Sequence, residues 1–329
     1  MSPVRLLPLT LLLGLTPTMP AGAIELGLPL ACTPGETCWI PRYVDHDPGP
    51  GFRDYMCGRL GTDGHSGTDF AIRNLAEMQS GVPVRAAAAG AVRGMRDGME
   101  DVSVQEIGMA AIEGRNCGNG VVLEHADGWE TQYCHLRKGS VTVHSGERVA
   151  AGQQLGLVGL SGETSYPHVH LSVRKDGEQV DPFQGLGEAP ACGAGAEPLW
   201  SPALAARLPY LPLLLTNAGL AGARPEWGDV QAGGHAAAVL PADSAVLVLW
   251  LEAFALEAGD VVGWRITGPD GEEVFADSRP EAKGQARAFR FAGRKAPPGG
   301  WPRGRYTGTV TLERPGAPRQ QLTREVELR

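Results

Sequence analysis

The chain has 329 residues, a length that accommodates two domains. Its 29 Lys and Arg against 37 Asp and Glu give a formal net charge of −8, which argues against nucleic-acid binding as a role. The 43% hydrophobic and 20% charged residues are ordinary for a globular protein, and 46 Gly and 26 Pro with 6% aromatics favour short strands and turns over long helices.

Residues 1–23 read as an export signal. Arg5 precedes an apolar run from Leu6 to Leu15, and Ala21-Gly22-Ala23 is a small-residue cleavage site, so the mature chain is expected to begin at Ile24. The run is shorter than the roughly 18 residues of a membrane span, so no stable membrane insertion is expected after cleavage. The expected location is periplasmic or extracellular. Cys32, Cys38, Cys57, Cys117, Cys134 and Cys192 are an even set, which in an oxidising compartment reads as disulfides.

Residues 24–60 form a loop-rich N-terminal segment. Its Asp45-His46-Asp47 triplet lies beside Pro48 and Pro50 and reads as a solvated loop; the sharper alternative is a plug over a metal. Residues 61–187 are dense in strand signals. Val121 to Glu124 and Thr131 to Cys134 flank Asp127-Gly128, a hairpin turn whose arms carry Cys117 and Cys134 close enough to be bridged. The long stretch from Arg93 to Asn116 is expected to shape a groove, with Met95, Met99 and Met109 packing inward. Residues 188–235 read as a connector with a short helix after Ser201-Pro202. Residues 236–329 return to strands. Val246 to Leu251 reads as a buried strand, and Tyr306, Gly308, Val310 and Leu312 alternate with Thr307, Thr309 and Thr311. These predict an immunoglobulin-like β-sandwich of unassigned role. Trp250 and Trp264 are expected in its core, while Trp227 and Trp301, in Pro/Gly contexts, are expected at the surface.

Among eight histidines, four fall into a pattern. His65 precedes Asp69 by four positions, His135 ends a strand, and His168 and His170 flank Val169. Side chains alternate along a strand, so His168 and His170 project from one face while Val169, Leu171 and Val173 form an apolar opposite face. Paired imidazoles with a carboxylate suit zinc, whose catalytic sites take three protein ligands and leave a position for water. Cys134 precedes His135 and on a regular strand points away from it, so it is not a ligand candidate. Arg174 shares the face of His168 and His170. His125, His144 and His235 read as structural or solvent-facing.

The segment from Asp63 to Phe183 resembles the lysostaphin/LytM-type zinc metallopeptidases. His65-Ser66-Gly67-Thr68-Asp69 matches the family's H-x-G-x-D motif, Asn119 to Leu136 its central hairpin, and His168-Val169-His170 its closing H-x-H motif. The resemblance implies a mainly β chain: an antiparallel, barrel-like peptidase domain followed here by the sandwich. It implies one Zn2+ per chain held by His65, Asp69 and His170, with His135 and His168 as the catalytic pair acting on a zinc-bound water. It implies peptidoglycan peptides as substrate, cut in stem peptides or cross-links. The alternative is a non-catalytic cell-wall-binding protein or amidase regulator, as in relatives that have lost ligands; here all five positions are filled.

Overall fold

A computed structural model describes residues 24–235 and 237–329. The expected export signal over residues 1–23 lies outside the described residues, and no described helix is long and apolar enough to cross a membrane.

The first lobe contains strands β1 (Trp39–Arg42), β2 (Thr68–Ala71), β3 (Pro83–Arg85), β4 (Gly90–Arg96), β5 (Asn119–Glu124), β6 (Trp129–Leu136), β7 (Arg148–Val149), β8 (Gln154–Leu157), β9 (His168–Lys175) and β10 (Glu178–Gln179). One antiparallel sheet runs in the order β1-β2-β9-β6-β5-β4-β7, with β10 paired to β9 and β3 paired to β8 as a separate ribbon. The β5–β6 hairpin forms where the sequence predicts it, because Asp127 at φ 56° and Gly128 at φ 74° both accept the left-handed backbone of a tight hairpin. The Cys117–Cys134 disulfide joins its arms at a Cα–Cα distance of 4.7 Å.

Period-two alternation sorts the faces. Phe70, Leu123, Tyr133, Val169, Leu171 and Val173 are buried on one side of the sheet. Each such side chain contributes about 1.5–3 kcal/mol of burial, so the strands are fixed in register by this face and free to carry polar chemistry on the other. Residues 24–60 pack firmly, with Leu26, Leu30, Tyr43, Tyr55 and Leu60 in the same core. Disulfide Cys57–Cys192 staples this segment to the chain beyond the sheet, and Cys32–Cys38 closes a small loop.

The second lobe contains β11 (Leu214–Ala221), β12 (Val239–Leu240), β13 (Val246–Leu256), β14 (Val261–Thr267), β15 (Glu273–Pro280), β16 (Gln285–Lys295), β17 (Gly304–Glu313) and β18 (Gln320–Leu328). Sheets β11-β13-β16 and β12-β18-β17-β14-β15 face each other over a core that includes Leu249, Leu251, Trp264, Tyr306 and Val310. The sandwich is therefore present, and Tyr306 to Leu312 alternates as read from the sequence. β11 lies inside the stretch read as a connector. Pro209 and Pro212 suggested a break there, yet the strand starts two residues past Pro212 and neither proline enters the ladder.

Two surface expectations need correction. Trp301 is only 5% exposed, because its ring packs edge-on against Tyr306 and its Nε1 donates to Ser244 O at 2.8 Å. Met95 and Met109 are 38% and 53% exposed, since β4 and the short helix Met109–Ile112 present them to solvent. The lobes meet at the groove: Phe254 of β13 belongs to the first lobe's core and lies 5.4 Å, edge to face, from Tyr166.

Candidate metal and catalytic site

β2 and β9 pair so that Asp69 stands directly across from His170 and Ala71 across from His168. This register puts the Asp69 carboxylate beside the His170 ring. Asp69 Oδ1 lies 2.8 Å from His170 Nδ1 and 3.1 Å from His65 Nε2. The ligand atoms of His65, Asp69 and His170 lie within 4.8 Å of one another.

Each ring is oriented from behind. His65 Nδ1 donates to Tyr43 O at 2.7 Å, and a carbonyl only accepts, so in the neutral ring Nε2 keeps its lone pair for the cluster. Asp45 braces the same turn: its Oδ2 accepts from Gly64 N at 2.9 Å, and its N–H donates to His65 O at 2.9 Å. His170 Nε2 sits 3.0 Å from Ser172 Oγ, which frees Nδ1 to face Asp69. Gly67 is required by space: a Cβ there would lie 2.6 Å from His170 Nε2 and 2.5 Å from Leu171 O.

His135 reaches the groove through a β-bulge. Asn119 pairs with Leu136 and Val121 with Tyr133, so Gly120 faces both Cys134 and His135. His135 takes φ 64°, a left-handed backbone that costs a non-glycine residue about 1–2 kcal/mol. Its N–H donates to Cys117 O at 2.8 Å and its carbonyl accepts from Gly159 N at 3.0 Å, which hold the bulge. Cys134 and His135 consequently both line the groove, whereas simple alternation places them on opposite faces. Cys134 remains unavailable as a ligand because it is in a disulfide.

His135 Nδ1 donates to Ser161 O at 2.8 Å, and His168 Nδ1 to Tyr166 O at 2.9 Å. Their rings are 4.7 Å apart, and His168 Nε2 is 3.4 Å from Asp69 Oδ2. Burial pushes the His135 pKa well below its ordinary value, with His168 and His170 adding to the effect. Burial lowers His170 as well. Asp69 ionises well below the usual carboxylate range: burial opposes this, but His168 and His65 together with hydrogen bonds from His168 and His170 outweigh it. His65 is raised, burial being overcome by the charge and hydrogen bond of Asp69.

The groove holding these groups has a volume of about 660 Å³. Sequence reasoning missed Tyr166, whose hydroxyl donates to Asp69 Oδ2 at 3.1 Å, and Ser172. Alternation along β9 could have found Ser172, two residues past His170 on the same face. Arg174 is held by Glu130 at 2.7 Å and Gln132 at 2.9 Å. The remaining histidines stand apart from the cluster. His46 bonds Asp181 at 2.7 Å, His125 bonds Ala89 O and Thr131 Oγ1 at 2.8 Å each, His144 is exposed, and His235 lies 3.8 Å from Asp229. Asp45 and Asp47 accept backbone N–H groups within their own turn, so the triplet braces the fold.

Comparison with known proteins shows what this lobe is similar to. The model of Peptidase family M23 matches residues 63–182. That segment is similar to M23 peptidases. All five groove residues lie inside the matched segment. The chain is 29% identical over 161 residues to the DD-carboxypeptidase/endopeptidase Mpg of Neisseria meningitidis, covering 46% of this chain and 31% of that protein. It is 32% identical over 120 residues to the peptidoglycan DD-endopeptidase ShyA of Vibrio cholerae, covering 36% and 22%. It is 33% identical over 107 residues to the cell division protein DipM of Caulobacter vibrioides, covering 32% and 16%. The matches thus span less than a third of each relative, and the second lobe of this chain lies outside the M23 segment.

Proposed function

We propose that this chain is an exported zinc metalloendopeptidase hydrolysing peptide bonds in peptidoglycan stem peptides or cross-links. The observation that carries this reading is the convergence of His65, Asp69 and His170 within 4.8 Å, in one groove with His135 and His168. The donor set fits zinc: two imidazole nitrogens and one carboxylate oxygen turned inward, each backed by a partner that fixes its direction, the nitrogens losing their protons to bind a metal. The name of the ShyA relative, a peptidoglycan DD-endopeptidase, supports the substrate class, and that of Mpg, a DD-carboxypeptidase/endopeptidase, the reaction. Three disulfides among the described residues suit an extracytoplasmic compartment.

Bound zinc supplies Lewis acidity, polarising the scissile carbonyl and lowering the pKa of water to about 7. The chain's own residues do the rest. His135, anchored through Nδ1, keeps its Nε2 lone pair free and its depressed pKa keeps the ring neutral, which suits it to accept the proton of the attacking water. His168 is anchored through Nδ1 to Tyr166 O with Nε2 beside Asp69; with both ring nitrogens protonated, its Nε2–H would donate to the oxygen that becomes negative on attack. In this reading residues 1–23 direct export, residues 61–187 are the peptidase domain, and the sandwich begins at β11.

The test pairs zinc content with peptide release from purified peptidoglycan, for the wild type and His170→Ala. One zinc per chain and new peptide ends that vanish in the variant are expected. Zinc without cleavage would favour a regulatory or wall-binding role, and no zinc in either protein would sink the metallopeptidase reading.

A further inference from the structure

A second cleft of about 370 Å³ opens between the lobes and adjoins the catalytic groove. Arg42, Ser165 and Tyr166 line both. Arg42 ends β1 directly across the ladder from Asp69, so its position is tied to the catalytic cluster by strand register. Its guanidinium lies 5.6 Å from the centre of the Tyr166 ring, whose hydroxyl bonds Asp69. One tyrosine therefore separates the cluster from a half-buried cation.

Among the described residues the Arg42 guanidinium makes a ring contact with Tyr166 and no side-chain hydrogen bond or close ion pair. Its N–H donors are therefore left for solvent or a ligand, and a ligand carboxylate matches them best. Tyr166, Asp69 and Glu163 favour its charge through space, against the cost of burial, but none of them takes its N–H groups. Arg287, from β16 of the second lobe, is clamped by the buried Glu252, its Nε bonding Oε1 at 2.6 Å, and is stacked on Trp227 at 4.7 Å and Phe254 at 5.4 Å. Glu252 is thus committed to Arg287. Arg59 stands exposed on the cleft wall over Phe52 and adds further positive charge. A chain of net charge −8 here gathers three arginines beside its catalytic groove.

We infer that this inter-lobe cleft is a carboxylate-binding subsite, in which Arg42, with Arg59 at the rim, takes a free carboxylate of the substrate peptide. The inference rests on the peptidase reading for the word substrate, and it gives the second lobe a part in the groove: Arg287 and Phe254 form the wall opposite Arg42. The planar guanidinium fork matches a carboxylate in two parallel hydrogen bonds.

The experiment uses the full zinc-loaded chain and two cross-linked peptides, one with free carboxylates and one with the same groups amidated. The wild type should prefer the free carboxylate by roughly tenfold or more in kcat/KM, mostly through KM, the size of one charge-assisted hydrogen bond. In Arg42→Gln the preference should fall to near one with zinc content unchanged. In Arg59→Gln, an exposed position that tolerates the change, it should fall by about a factor of three, as for a rim charge. Equal cleavage of the two peptides by the wild type, or a preference kept in both variants, overturns the subsite. If the wild type cuts neither peptide, the peptidase reading fails, and fluorescence anisotropy with the same pair decides the cleft separately. Tighter binding of the free carboxylate that is lost in Arg42→Gln upholds it, and equal binding overturns it.

Discussion

The Tyr166 hydroxyl donates to Asp69 Oδ2 at 3.1 Å and leaves Oδ1 turned toward His65 and His170. Burial, reinforced by the Asp69 charge, pushes the tyrosine pKa up, so the hydroxyl stays a donor across the physiological range. Tyr166→Phe removes that donor and keeps the ring. Zinc affinity, read by chelator competition, or kcat/KM should fall about tenfold or more, as for other groups that orient a ligand from behind. Unchanged values for both would mean that Asp69 is positioned by the β2–β9 register alone.

Gly67 supplies a second, purely steric control. A methyl group there meets Leu171 O at 2.5 Å and His170 Nε2 at 2.6 Å, and the first of these is backbone that cannot swing away. Gly67→Ala should cost about 1–3 kcal/mol of stability and displace the His170 ring. The expected signature is a lowered melting temperature in the chelated protein together with weaker zinc binding. A variant with normal zinc affinity would show that the strand shifts without moving the ring.

Much of this site was legible because its geometry is periodic. The placement of His168 and His170 on one face, and the apolar Val169, Leu171 and Val173 behind them, follow from a repeat of two residues. The turn at Asp127-Gly128 announced itself through residues that tolerate a left-handed backbone. His135 was singled out as a strand-end histidine, but its sharing the groove with Cys134 was not foreseen, since a bulge breaks the count by one residue and nothing in Cys134-His135 marks it. Tyr166 and Arg42 acquire their roles only when loops and edge strands come together, at sequence distances no local pattern spans. Trp301 was misread because neighbouring Pro and Gly report local backbone and say nothing about which core covers the ring.

The bulge yields a prediction of its own. The Cys117–Cys134 disulfide sits immediately beside it, and Cys117 O accepts the His135 N–H. Replacing both cysteines, as Cys117→Ser with Cys134→Ser, removes a closure of 17 residues, a constraint of about 3 kcal/mol. Melting temperature should drop, and kcat should fall while zinc stays at one per chain, because His135 is no ligand in the proposed site. Loss of zinc in step with kcat would argue that the bulge supports the metal cluster instead.

Protonation of the zinc-free protein gives the last test. His65 is raised in the fold, so its stabilising contribution is complete below its unfolded value of about 6.5 and is lost as pH rises through the folded one. His135 and His170 are lowered, burial being the leading cause. Between their folded values and about 6.5 the unfolded chain binds more protons, so stability climbs with pH up to that point. Asp69 is lowered too, and its contribution is complete above about 3.9 and lost only on further acidification. The melting temperature of chelated protein should therefore peak near pH 6.5, falling on both sides. His65→Gln should abolish the alkaline decline and keep the acid limb. With zinc present the ligands must be deprotonated to bind, so the alkaline decline should vanish and the acid limb steepen. Parallel curves for chelated wild type and His65→Gln above pH 7 would refute the pairing of His65 with Asp69 as the source of the slope.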